Sequence, residues 1–272
     1  MTSPQDARND FYIGYLPETS RPLASWLKRK VALLFLVFLA VPLALITSMG
    51  GFSSANFEFG VEKEFRGTLY ERPYPSLVVD RPGLHGESEA SGQSTYSLVA
   101  FGKHGANEAV SGLDGSRVEL RGTLIYRDDQ TMIELVDGSI SKLDGVAAVQ
   151  RPVVERGEQT LRGEIVDSKC FLGVMKPGNL KPHRACATRC ISGGIPPVLL
   201  VRDAAGRATY YVLVAEDGSA VNRDVLDFVA EPISIRGRVV EQAERLFLYA
   251  DPTTYRRLDE LREVEIPRSA HL

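Results

Sequence analysis

The sequence predicts a mainly β protein in which one apolar N-terminal helix leads into two tandem β-barrel modules, the second carrying an inserted short helix. Three observations predict it. Val31 to Phe52 holds no ionisable side chain over 22 positions. A short phrase recurs four times, as Phe65-Arg66-Gly67-Thr68-Leu69, Leu120-Arg121-Gly122-Thr123-Leu124, Leu161-Arg162-Gly163-Glu164-Ile165 and Ile235-Arg236-Gly237-Arg238-Val239. Around these phrases, apolar and polar residues alternate with the period of half-buried strands. Arg66 to Arg121 spans 55 positions and Arg162 to Arg236 spans 74, so the second module has about 19 extra residues, and these match a segment that holds all three cysteines.

The expected order is a cytoplasmic tail over 1–30, a transmembrane helix over 31–52, a first module over 53–150, a second over 151–255 and a C-terminal tail over 256–272. The apolar stretch is long enough, at about 1.5 Å per residue, to cross a hydrocarbon core of roughly 30 Å. Pro42 inside it is better tolerated in lipid than in a soluble helix. Arg21, Lys28, Arg29 and Lys30 precede the stretch and the first charges after it are Glu58 and Glu62, which places the N-terminus in the cytoplasm and exports the rest. A cleaved secretory signal is the competing reading. Its apolar core is usually 7 to 15 residues, shorter than this one, and its leader shorter than 30. The exported part carries 27 Lys and Arg against 32 Asp and Glu. That balance argues against a nucleic-acid partner, which would need a basic track with stacking aromatics.

In the first module, strands are expected over 64–70, 76–79, 95–101, 118–126 and 132–135, with Arg81 to Gly92 a polar loop and Arg127 to Gln130 a hairpin turn. The second repeats the plan over 160–166, 198–202, 209–214, 233–241 and 246–249, with a turn at Asp203 to Gly206 and a short helix over 222–229. Five strands with a helix before the fourth follow the order of an OB-fold. A glycine inside an apolar strand weakens it unless the strand must bend, so the recurring Arg-Gly marks a barrel corner. A β-sandwich with coincidental glycines is the competing architecture.

The inserted segment runs Asp167-Ser-Lys-Cys170, then His183-Arg-Ala-Cys186-Ala-Thr-Arg-Cys190, and ends at Gly193-Gly194-Ile195-Pro196-Pro197. Pro182 suits a first helical turn and the paired glycines a helix end, giving a helix over 182–192. At about 100° per residue His183, Cys186 and Cys190 fall at about 0°, 300° and 340° and share one face. Cys170 is the natural fourth member. Three thiols and an imidazole form a zinc ligand inventory, although the spacing matches no common finger. Thiolates equally suit copper(I) or an iron-sulfur cluster, so the metal stays open. Asp167 has two expected tasks, closing a turn and orienting His183 from behind.

Exported thiols also form disulfides, and here Cys170 with Cys186 or Cys190 is the expected pair, because a bridge between Cys186 and Cys190 would distort their helix. From Ser168 to Arg202 there is no acidic residue but six basic ones, a field that lowers thiol pKa or simply faces solvent. Of the other histidines, His85 and His104 read as surface residues and His271 has no chemical company. No nucleotide loop, haem-attachment motif or serine nucleophile elbow occurs in the sequence.

The pattern Gly163-x-x-x-Asp167-x-x-Cys170, His183-x-x-Cys186-Ala187-x-x-Cys190, Gly194-Ile195-Pro196 resembles a group of uncharacterised exported, membrane-anchored bacterial proteins with an OB-like β fold; the match covers about residues 161–250. The resemblance implies a module at the bacterial inner membrane, facing the periplasm, and names no activity. Two functions follow as expectations. One is a non-catalytic, single-pass accessory protein that docks on a larger membrane-protein partner in an envelope or respiratory complex, with the Cys/His site a metal centre or a disulfide. The other is a thiol oxidoreductase or metal-transfer protein using Cys186 and Cys190.

Overall fold

The structure, a computed structural model, describes residues 21–49, 55–81, 92–147 and 152–259. The end of the expected span at Gly50 to Phe52, most of the loop between Arg81 and Gly92, His85, His271 and most of the C-terminal tail lie outside these residues. Two units form, Met1–Ser53 and Ser54–Leu272.

The first unit contains one helix, α1 (Arg21–Met49). Its apolar window, Ser25–Thr47, is 23 residues long with no residue buried, about 34 Å at 1.5 Å per residue. The helix starts ten residues before the expected apolar boundary. Pro22 is compatible with a first turn, and Leu27, Lys28, Arg29 and Lys30 are good helix formers whatever their polarity. The Thr47 hydroxyl donates back to the Leu43 carbonyl at 3.0 Å, so it is not left bare on an apolar helix.

The second unit is a pair of closed five-stranded barrels. In the first barrel β1 (Ala55–Phe57) is an added edge piece on the end of a longer strand. The barrel proper comprises β2 (Lys63–Tyr70), β3 (Ser76–Arg81), β4 (Gly92–Val99), β5 (Arg117–Arg127) and β6 (Gln130–Leu135), with the one-turn helix α2 (Asn107–Val110) between β4 and β5. Strand β2 pairs antiparallel with β3 and β5, β5 with β6, and the parallel pairing Ser97↔Met132 of β4 with β6 closes the circle. After the short β7 (Ser141–Lys142) on the edge of β5, the second barrel repeats the circuit. It uses β8 (Val154–Asp167), β9 (Pro197–Arg202), β10 (Ala208–Val214), β11 (Pro232–Gln242) and β12 (Arg245–Tyr249), closed by the parallel pairing Tyr211↔Leu246. A final β13 (Arg256–Arg257) lies on β11.

The four Arg-Gly phrases fall at equivalent places. Gly67 and Gly163 sit on the first strand of each barrel, where it passes from one neighbour to the other. On the fourth strand Gly122 sits where β5 passes from β2 to β6, and Gly237 immediately before β12 joins β11, whose pairing with β8 continues. A methyl group at Gly67, Gly163 or Gly237 would lie 2.3 Å from a backbone carbonyl oxygen of the adjoining strand, and at Gly122 2.3 Å from the Ile133 side chain. None of the four has a positive φ, so it is the close approach of a second backbone, and not an unusual conformation, that demands glycine.

The two modules are not independent. Besides a private core in each, one apolar cluster runs across the junction, joining Tyr74, Val99, Ile125 and Met132 of the first barrel to Val166, Phe171, Leu200 and Val212 of the second. The Tyr74 hydroxyl crosses it, donating to the Leu213 carbonyl at 2.9 Å. The expected helix over 222–229 is reduced to a 3₁₀ turn at Leu226–Phe228, preceded by a turn. The β-branched Val225 and Val229 are drawn fully into the barrel core there, at the expense of continuous helix.

Candidate functional site

The connection between the first and second strands is 71–75 in one barrel and 168–196 in the other, so the whole insertion sits at a single barrel rim. It begins with a wide π-helical turn, Cys170–Val174, continues through α3 (Leu180–Ser192), and returns to β9. Helix α3 begins two residues before the bound the proline signal indicates; its first residue, Leu180, is left-handed (φ 63°), and its amide donates to the Glu164 carboxylate on β8 at 3.0 Å. At its other end the Asn222 side-chain amide donates to the Ile191 and Ile195 carbonyls at 2.8 and 2.9 Å, tying the last turn to the chain that follows it.

The insertion is also the key between the barrels. Phe171 is fully buried, tilted against Tyr210 and lying 4.1 Å beneath the Arg127 guanidinium. Gly173 comes so close to β1 that a Cβ would stand 2.3 Å from the Asn56 carbonyl oxygen. Lys169 is 2% exposed, donates to the Ala100 and Gly102 carbonyls at 2.8 and 2.7 Å, and pairs with Glu134. These partners all belong to the first barrel. The 100–105 loop of that barrel presses on the end of α3, with the Gly105 amide donating to the Gly193 carbonyl at 2.9 Å. A Cβ on Gly193 would lie 2.0 Å from the Lys103 carbonyl oxygen and one on Gly105 2.3 Å from that of Gly194. The paired glycines therefore end a helix, as the sequence indicates, and also admit a second chain segment.

Inside this frame the Cys170 Sγ stands 3.9 Å from the Sγ of both Cys186 and Cys190. Cys170 and Cys190 are buried and Cys186 half-buried. His183 and Asp167 complete the cluster in two overlapping triads. Cys170, His183 and Cys186 have ligand atoms within 4.8 Å of one another, and so do Asp167, Cys170 and Cys190. His183 thus stands beside Cys186 and Cys190 beside the carboxylate, with Cys170 common to both. Asp167 is fully buried and does both of its expected tasks: Oδ1 accepts the Cys170 amide at 2.7 Å, and Oδ2 meets His183 Nε2 at 3.0 Å. One carboxylate fixes both the turn that carries a thiol and the ring beside it.

The thiols are electrostatically unequal. Cys170 is pushed far up, first because its S–H serves Cys190 and then by burial; Cys190 is lowered, first because it receives that hydrogen bond. The cation that touches a thiol is not one of the six basic residues of the acid-free segment but Lys103, from the first barrel. Its Nζ lies 2.8 Å from Cys186 Sγ, a contact that raises the lysine pKa. Of the six, Lys169 serves the first barrel and Arg184 and Lys181 face Glu231. Sequence reasoning has no means of finding Lys103: it lies in a Gly-containing loop 83 residues from Cys186, and only the packing of the barrels joins them.

The chain matches no model of a known protein family and no curated protein.

Proposed function

We propose that this chain is a membrane-anchored accessory protein whose paired barrels hold one soft metal ion at the barrel junction, bound by Cys170, Cys186 and Cys190 with His183. The observation that carries the reading is the 3.9 Å spacing of Cys170 Sγ from each of the other sulfurs. Thiolates about 2.3 Å from a common ion stand about 3.8 Å apart in a tetrahedral set and about 4.0 Å apart in a trigonal one, whereas a disulfide needs about 2.05 Å. The buried Asp167 behind the imidazole supports the reading, as a carboxylate that orients a ligating histidine. Zinc, copper(I) and an iron-sulfur cluster share this donor set, and X-ray absorption of the purified full chain separates them by metal edge and by metal–metal scattering.

The proposed topology puts the N-terminus in the cytoplasm and both barrels outside the inner membrane, in the periplasm, on the strength of the basic residues before α1. Within reach of membrane-protein partners, such barrels act as a docking platform in an envelope or respiratory complex, and the metal fixes the inserted turn and helix that pack against the first barrel. A phosphatase reporter joined after β13 is expected to be active only when exported. An active cytoplasmic reporter at the same place would overturn the topology. The competing oxidoreductase reading, through Cys186 and Cys190, requires fast alkylation of Cys186 in the isolated protein; a metal-loaded chain is expected to alkylate slowly.

A further inference from the structure

Lys103 Nζ, from the first barrel, is in direct contact with Cys186 Sγ of the second at 2.8 Å. Nitrogen and sulfur joined through one oxygen, with bonds of about 1.4 and 1.7 Å at a near-tetrahedral angle, stand about 2.6 Å apart, which is the separation these two atoms already nearly have. The pair is reachable from solvent, Lys103 being exposed and Cys186 half-buried, while the other two thiols are buried. Cys170 is the rival for an oxidised Cys186, but its sulfur is 3.9 Å away, against 2.8 Å for the Lys103 nitrogen. The lysine comes from a loop held in place independently, by the Lys169 and Gly193 contacts described above.

We propose that Lys103 and Cys186 are a modification site: oxidation joins them through a covalent N–O–S bridge that crosslinks the two barrels. With hydrogen peroxide as the oxidant, sulfur and nitrogen each give up two electrons, two peroxides are reduced, and three waters leave. One S–H and one N–H bond are lost, an O–S and an N–O bond form, and one peroxide oxygen stays as the bridge. The bridge removes one proposed metal ligand, so it belongs to the metal-free chain, and it stands or falls without the metal reading.

The test treats the full chain in detergent, stripped with a chelator, with hydrogen peroxide, and maps its peptides by mass. A linked peptide pair containing Lys103 and Cys186, about 14 Da heavier than the two peptides summed and separated by a thiol reductant, is expected. Lys103→Arg keeps the charge and is expected to abolish the pair while the fold, followed by circular dichroism, is unchanged. A pair about 2 Da lighter, as a direct sulfur–nitrogen bond or a disulfide to Cys170 would give, overturns the proposal. So does Cys186 recovered unmodified or as sulfinic acid with Lys103 open to tryptic cleavage.

Discussion

Replacing Gly163 by alanine tests the reading of the repeated phrase. The new methyl group would stand 2.3 Å from the Leu200 carbonyl oxygen and 3.0 Å from its carbon, both backbone, so no side chain can swing away. Relief requires β8 and β9 to separate by about 1 Å at the Glu164↔Leu200 pairing, three residues before the strand closes on Asp167↔Pro197. One or two ladder hydrogen bonds, about 1 kcal/mol each, weaken, and overpacking adds about 1–3 kcal/mol, for a total near 3 kcal/mol. For a unit of this size that lowers the melting temperature by roughly 6–12 °C. Gly237→Ala meets the Tyr249 carbonyl oxygen at the same 2.3 Å and is expected to cost as much. Gly206→Ala is the control: φ is +81° but nothing lies within 4 Å, so only the cost of a left-handed residue, about 1 kcal/mol, applies. Thermal unfolding followed by circular dichroism in detergent ranks the three. Equal melting temperatures for Gly163→Ala and Gly206→Ala would refute the close-approach argument.

Asp167→Asn cannot serve the Cys170 amide and His183 as a carboxylate does, and is expected to cost about 2 kcal/mol of stability and 10–100-fold in metal affinity, measured by chelator competition. Lys169→Met strands the Glu134 carboxylate and two carbonyls in the barrel junction, with an expected loss of about 3–5 kcal/mol that Glu134→Gln recovers in part in the double variant. In the metal-free chain, the lowered Cys190 pKa predicts one thiolate by ultraviolet absorbance below the ordinary thiol range, while Cys170 stays protonated well above it. Because the folded pKa of Cys190 lies below its unfolded one, its contribution to stability is present above the unfolded value and is lost as pH falls through the folded value; Cys190→Ser is expected to flatten that limb.

The barrels were legible because their signals are local. Alternation fixed the strands to within about three residues, except that β8, expected from 160, begins at Val154, and the four glycines mark places that must admit a neighbouring strand. The helix face carrying His183, Cys186 and Cys190 follows from spacing alone. What spacing cannot supply is the depth of the site. Lys103, Glu134 and the Ala100 and Gly102 carbonyls come from the other barrel, and their part depends on long-range packing that leaves no periodic trace. The helix expected over 222–229 shrank for a similar reason, its valines going to the core. The division of the cluster into two triads also escaped a helical projection, because Asp167 and Cys170 approach from a turn and not from the helix.

Metal content and free-thiol count, taken together on the full chain purified without chelator or oxygen, test the central claim most directly. The account predicts one equivalent of a soft metal per chain, or one iron-sulfur cluster, with three thiols titrating only after its removal, and no metal in the Cys170→Ser variant. A metal-free chain with three thiols open to titration from the start, or with Cys170 bridged to Cys186 or Cys190, would contradict it.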